Sequence, residues 1–318
     1  PYNDYDYFIV VKNMSHKGAQ NLQAQVQDLA RRLSHIVDVE VDLAVLRSES
    51  LATAQFSLMN AEMKWGHRVV AGNQSIIDAM PAMPFDKLAL GEFTRLMNNR
   101  GALLLMNQQM LETGRPMDLP LREIFFKYVC KALLACGDAY LAMEDAYHPS
   151  YLEKLKRLPA MENAPGQGFL NRYNLAVEQK FQPDMQAFAD ENPDSWQRDV
   201  TEHWLQAFSG LEACRTTEHI NNWKDYPLPR LPKGQLETSH KLRNLAITIR
   251  DFGIVHAVQN LTWALRYPRE RLISVLPLLL KVDIGKPHDN VMVPLAVPSS
   301  SARSLVVDRY LESWARYA

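Results

Sequence analysis

The stretch DYDYFIVV, residues 4–11, places two aspartates one residue apart, directly before an unbroken apolar run. The run is short and rich in β-branched and aromatic residues, so it predicts a buried β-strand. Side chains alternate along a strand, and Asp4 and Asp6 therefore share one face, about 6–7 Å apart along the backbone. Like charges this close repel and are not easily buried without a partner. Two explanations remain open: a bound divalent cation, or a solvated turn that precedes the strand.

A second acidic strand follows one helix later. Residues 15–36 space their apolar side chains helically, with Ser15 as a candidate N-cap. In the next stretch, VDVEVDLAVL (37–46), residues 37–43 alternate strictly between apolar and acidic side chains. This pattern is typical of a strand whose acidic face meets water, an explanation that needs no function. If the aspartates at 4 and 6 bind metal, the third carboxylate is Asp42 or, failing it, Glu40.

A helix and a short strand are predicted next, in FSLMNAEMKWG (56–66) and HRVVAGN (67–73). The order of a DxD motif opening one strand, a helix and a second acidic strand resembles the nucleotidyltransferase fold of the DNA polymerase beta superfamily. In that family the aspartates precede the apolar run, as they do here, whereas metal-dependent glycosyltransferases place a DxD after it. Residues 62–73, EMKWGHRVVAGN, look like the family segment in which a helix leads to a short strand.

The resemblance implies an α+β protein: a small nucleotidyltransferase-like mixed sheet with helices over residues 1–80, then a large all-helical domain over 81–318. It also implies two Mg²⁺ ions held by Asp4, Asp6 and the third carboxylate, with an NTP as substrate. Asp42 would help to deprotonate the attacking hydroxyl. The family's Gly-Ser motif lies just upstream of the DxD. Because the chain begins at Pro1 and not at Met, we expect the natural protein, and this domain, to begin further upstream.

Cationic side chains in the helical half are candidates for binding the NTP. Lys127 and Lys131 are four residues apart in a predicted helix, and Asp138, seven further on, lies on roughly the same face. Lysines with an aspartate at this spacing resemble the helix that follows the catalytic domain in several nucleotidyltransferases. Arg95 raises a similar question in FTRLMNNRG (93–101). For both sets, a solvent-exposed or packing role is the alternative.

Two other functions remain open. The fold could serve a catalytically inactive binding or regulatory protein. The stretch RDFGIVH also sets Arg250 and His256 six residues apart, which resembles the loose Arg-His pattern of HEPN ribonucleases. Six residues turn a regular helix through about 600°, however, so the two side chains would lie on rather different faces.

The overall composition indicates which kinds of partner and which compartment to expect. The 35 basic and 36 acidic residues nearly cancel, which disfavours a nucleic-acid or membrane partner. Apolar stretches such as LISVLPLLL fall short of the ~20 residues that a bilayer requires. The three cysteines, Cys130, Cys136 and Cys214, form no CxxC motif, favour a reducing cytoplasm and do not predict a zinc site. We therefore expect a cytoplasmic nucleotidyltransferase that acts on a hydroxyl of a small molecule or a protein.

Overall fold

The computed structural model describes residues 4–37, 39–114, 116–226, 236, 240–281, 289–298 and 300–318. The chain opens with a strand–helix–strand unit made of β1 (Asp4–Val11), α1 (His16–Val37) and β2 (Glu40–Arg47). The two strands pair in parallel. The predicted cap is confirmed, since the Ser15 hydroxyl accepts a hydrogen bond from the Gly18 amide at 3.1 Å.

Helices make up most of the remainder. They are α2 (Ser48–Ala52), α3 (Leu58–Gly66), α4 (Leu90–Glu112), α5 (Leu119–Met143), α6 (Tyr151–Arg157), α7 (Gln167–Phe181), α8 (Pro193–Thr216), α9 (Lys241–Phe252), α10 (Ile254–Gln259), α11 (Leu261–Ala264), α12 (Pro268–Leu280), α13 (Asp289–Leu295) and α14 (Arg303–Tyr317). A helical majority beside a small sheet agrees with the expected α+β class.

The two faces of the sheet have different neighbours. On one face, α1 covers β2 with Val26 and Ala30, which pack against Val41 and Leu43. The alternation predicted for β2 is confirmed here, because Glu40 and Asp42 on the other face are exposed. Val37 departs from the prediction, since it ends α1.

Side chains of α1 bond the backbone of β2 on the side away from β1. The Gln23 amide donates to the Leu43 carbonyl at 2.9 Å and accepts from the Val45 amide at 2.7 Å. The Ser34 hydroxyl accepts from the Val41 amide at 2.9 Å. Because these groups alternate along the strand, they all point to the same side of it.

The expected third strand and mixed sheet are not found in the described residues, where β1 and β2 form the only sheet. Residues 67–70 follow α3 without regular structure. Val70 is largely exposed and Gly72 has a positive φ of 93°. A β-branched run forms a strand only where a partner backbone is available, and here none pairs with it.

The main apolar core lies in the helical part, where α5 packs against α4, α7 and α8, and α4 also packs against α12. Trp204 is fully buried and donates to the Met97 carbonyl at 3.0 Å. Its ring approaches α4 closely because Gly101 has no side chain, and a Cβ there would lie 2.6 Å from the ring.

The C-terminal third departs from the sequence prediction in two places. The helical spacing of apolar side chains predicts one long helix from about Leu236 to Tyr267, but the chain breaks at Gly253, whose φ is +89°, and again at Asn260. Residues 237–239 of that stretch lie outside the described residues. The prolines and serines of the stretch 286–303 predict a loop, yet residues 289–295 within it form α13. Residues 286–288 and 299 lie outside the described residues. Among the described helices, none is long and apolar enough to cross a membrane.

Candidate functional site

The acidic residues of the two strands are paired by the register of the sheet. Asp4 pairs with Glu40 and Asp6 with Asp42. Paired residues of a parallel sheet project to the same face, and neighbouring strands lie about 4.8 Å apart. We call this surface the acidic face. The side chains of Asp6, Glu40 and Asp42 are all exposed on it. For Asp4 only the backbone is described, and Asp38 lies outside the described residues.

The donor set of the acidic face suits a hard divalent cation in part. Carboxylate oxygens are the ligands that Mg²⁺ prefers, and the register sets the carboxylates of Asp6 and Asp42 on adjacent strands. Within the described part of the chain, no three His, Cys, Asp or Glu side chains converge closely enough to hold a metal ion. The chemistry of the pair therefore fits Mg²⁺, and the third ligand is not in place among these side chains.

Helix α5 reaches the acidic face through one ion pair. The Lys127 ammonium lies 3.3 Å from the Glu40 carboxylate. Both groups are partly solvated, so the pair adds little to stability. Its importance is positional, because it places the first half of α5 beside the acidic face.

Lysines line a groove on the outer side of α5. Lys127 and Lys131 come from α5, as predicted, and Lys180 comes from the last turn of α7. We call this the lysine groove. The rest of its lining is mostly apolar and includes Phe126, Leu134, Met185 and Phe188, together with the acidic residue Glu123. The groove can hold a ligand that combines negative charge with an apolar body.

Lys180 was missed by sequence reasoning. It lies 49 residues after Lys131, in a different helix, and only the packing of α7 on α5 brings it to the groove. Its ammonium also lies 5.4 Å from the centre of the Tyr151 ring. Spacing along one helix carries no signal for such a residue.

Asp138 does not line the lysine groove, although it was predicted to share a face with Lys131. It is buried and forms an ion pair of 2.5 Å with Lys154, which is also buried. Burial raises the pKa of Asp138 to about 6, and the Lys154 charge offsets part of that rise. Asp138 is therefore a buried partner of Lys154 rather than a groove residue.

The Lys154 ammonium lies between two aromatic rings, 4.5 Å from the centres of Tyr147 and Tyr151. The Tyr147 hydroxyl donates to the Glu62 carboxylate, which links α3 to this buried cluster. Burial, together with the charges of Asp138 and Glu62, raises the pKa of Tyr147 far above its usual range. The tyrosine is therefore a neutral hydrogen-bond donor at ordinary pH.

Arg95 has local partners. Its guanidinium pairs with Glu92 one turn earlier and donates to the Leu236 carbonyl at 2.6 Å. Glu92 in turn accepts from the Leu58 amide at 3.0 Å. These contacts join α4 to α3 and to residue 236, so the structure gives Arg95 a packing role.

Arg250 and His256 lie in different helices, α9 and α10, separated by Gly253. The Arg250 guanidinium pairs with Asp251 at 2.7 Å, and Asp251 also pairs with Arg316 at 2.9 Å. Desolvation, with further effects from nearby arginines, lowers the pKa of His256 to about 4. Arg250 and His256 thus have separate partners, and no hydrogen bond joins them among the described residues.

No family model, no curated protein and no solved structure matches this chain. The candidate site is thus defined by its own residues: the acidic face of the sheet and the lysine groove beside it.

Proposed function

We propose that the protein is a Mg²⁺-dependent nucleotidyltransferase that moves a nucleoside monophosphate from an NTP to a hydroxyl of a small molecule or a protein. The single observation that carries the proposal is the register of β1 and β2, which pairs Asp6 with Asp42 on the acidic face. The Lys127–Glu40 contact supports it further, because it sets cationic groups beside these carboxylates.

Each group has a role that follows from its charge. Asp6 and Asp42, with Asp4 or Glu40, would hold the metal, which when bound neutralises the triphosphate and orients the leaving pyrophosphate. Lys127 and Lys131 would bind phosphate oxygens as point charges. Asp42 would accept the proton of the attacking hydroxyl. The near-zero net charge of the chain favours a small-molecule or protein acceptor over a nucleic acid.

A second candidate function is nucleotide binding without transfer. It is favoured by the described side chains, among which no three potential ligands converge on one metal position. A fold that keeps the lysine groove but lacks a complete metal site would bind a nucleotide and not turn it over.

The test is calorimetric titration of ATP and of GTP into the full chain with Mg²⁺, repeated with EDTA. We expect metal-dependent binding that weakens by at least roughly tenfold in Asp6→Asn/Asp42→Asn, since losing two anionic ligands costs more than about 1.4 kcal/mol. The matched control is Asp78→Asn/Asp86→Asn, which removes two exposed carboxylates outside the sheet.

The same proteins are then assayed for pyrophosphate release with a panel of hydroxyl acceptors. Transfer by the wild type that is lost in the sheet variant supports the enzyme. Binding without release supports the second candidate. An equal affinity in the sheet variant and its control would refute the metal role of the acidic face.

A further inference from the structure

Helices α9, α10 and α11 carry a group of exposed aliphatic side chains. The helices pack against one another. Five of the side chains are between 54 and 83% exposed, and Ile249 is 39% exposed. The full set is Leu242, Ile249, Ile254, Val255, Val258 and Leu261. We call these six residues and the helices that bear them the α9–α11 surface.

Helix α9 buries two polar side chains and exposes two large aliphatic ones. Its buried positions include Asn244 and Thr248, which bond to the backbone carbonyls of residues 265 and 264. Its exposed positions include Leu242 and Ile249, seven residues apart and therefore on one face. A soluble helix normally places apolar side chains inward and polar ones outward. The arrangement suits an apolar environment outside the molecule.

The charge of this region is one-sided. Residues 240–269 contain five lysines and arginines and a single acidic residue, Asp251. The Asp251 side chain is only 6% exposed and is held by Arg250 and Arg316. Lys241 and Arg243, which flank Leu242, are exposed and have no ion-pair partner among the described residues. Within residues 240–269 the exposed apolar side chains thus have cationic neighbours and no exposed carboxylate, and the exposed Glu312 of α14 lies near the C-terminal end of α9.

We propose that the α9–α11 surface docks on an anionic lipid membrane surface, with its aliphatic side chains in the headgroup and upper acyl region. The cations favour an anionic partner, and the high exposure of the side chains means that they protrude. Protruding side chains penetrate a fluid interface, whereas a peptide ligand is held in a groove. The nearly neutral chain gives no general attraction to anions, so the binding would be local to this surface.

The experiment is flotation of the full chain with vesicles of phosphatidylcholine alone and of equal phosphatidylcholine and phosphatidylserine. We expect binding to the anionic vesicles that declines at high salt. Leu242→Gln/Val258→Gln and, separately, Lys241→Gln/Arg243→Gln are each expected to weaken it by roughly tenfold or more, through lost apolar insertion and lost charge attraction.

Two controls separate this surface from general effects. Ile36→Gln/Leu152→Gln changes two exposed aliphatic side chains elsewhere, and Lys12→Gln/Lys17→Gln removes the same charge elsewhere. Both are expected to bind like the wild type. Equal binding by all variants, or no preference for anionic vesicles, overturns the proposal. It is also overturned if vesicles do not bind and Leu242→Gln/Val258→Gln converts a dimer into a monomer, since a second copy then covers the surface.

Discussion

Asp138 and Lys154 form a deeply buried ion pair, with side chains that are 7 and 1% exposed. Moving both charges out of water costs more than their attraction returns unless further bonds are made. The raised pKa of Asp138, about 6, reflects this cost, because burial outweighs the favourable effect of Lys154. The contribution of this ion pair to the free energy of unfolding therefore depends on pH.

We predict that the stabilising contribution of Asp138 to the free energy of unfolding declines as the pH rises from 3.8 to about 6. The folded pKa of about 6 exceeds the reference value of 3.8, so the folded protein binds this proton more tightly than the unfolded chain. Its contribution is present below pH 3.8 and is lost as the pH rises through 6. Urea unfolding of the wild type and Asp138→Asn across this range measures it as a difference in slope.

Lys154→Met supplies the second arm of the same experiment. Lys154 lowers the pKa of Asp138, so removing its charge raises that pKa and extends the sloping region above pH 6. Parallel curves for the wild type and Asp138→Asn would contradict the prediction.

The position of Asp138 also indicates what spacing can reveal. A separation of seven residues predicts that Asp138 shares a face of α5 with Lys131, but only Lys131 lines the lysine groove. The spacing does not predict the partner of Asp138. Lys154, sixteen residues later in α6, packs against the second half of α5 and forms an ion pair with the Asp138 carboxylate. Partners across helices depend on packing, which leaves no local pattern in the sequence.

Among the elements, the break between α9 and α10 depends on one backbone conformation. Gly253 has φ +89° and ψ 149°, a region that residues with a Cβ rarely enter. No atom lies within 4 Å of the position that a Cβ would occupy there. The requirement for glycine is therefore conformational and not steric.

We predict that Gly253→Ala lowers the free energy of unfolding by about 1–3 kcal/mol. Gly168→Ala, at an equally open site inside α7 with no positive φ, should leave stability unchanged or raise it by up to about 1 kcal/mol. Chemical denaturation of the two variants beside the wild type gives both values. A Gly253→Ala protein as stable as the wild type would mean that the chain continues as one helix there.

The long helix expected over 236–267 was wrong because apolar periodicity continues through a break. Ile247, Ile254 and Val258 keep a helical spacing, whereas the positive φ of Gly253 is a single-residue property that periodicity does not detect. By contrast, the positions of α1 and the two strands were predicted correctly, since an alternating strand and a capped amphipathic helix are both local patterns. The prediction that β1 is buried was wrong, because Tyr7 and Phe8 are about 40% exposed. The register of the strands was not predictable, because it depends on the lengths of α1 and its turns.

At the scale of the whole molecule, apolar burial is uneven. The main core joins α4, α5, α8 and α12 in one large cluster. The sheet unit has a cluster of four buried residues between α1 and β2. On β1, Tyr7 and Phe8 remain about 40% exposed. Buried apolar area is the main source of folding free energy, so the two parts differ in local stability.

We predict that amides of β1 and β2 exchange with solvent deuterium at least roughly tenfold faster than those of α4 and α5, because regions with few buried apolar contacts open more readily. Hydrogen exchange followed by mass spectrometry measures both in one experiment. Equal protection of β2 and α5 would show that the sheet unit opens only with the main core.

The helical majority was predictable from repeated apolar spacing, while the lysine groove was only half predictable. Two of its lysines share a helix and the third arrives through tertiary packing. The acidic face was predictable in composition but not in pairing. Sequence patterns identify the residues available to a site, and the packing of distant elements decides which of them meet.

The hydrogen bonds that Gln23 and Ser34 make to β2 give the sheet a direction of growth. On that side of β2 the amides of Val41 and Val45 and the carbonyl of Leu43 are already bonded to side chains of α1. We therefore expect any further strand, from this polypeptide or from another molecule, to add to β1. Helix α1 thus blocks part of the outer edge of β2. An added strand is expected to pair with β1, the strand that begins with Asp4 and Asp6.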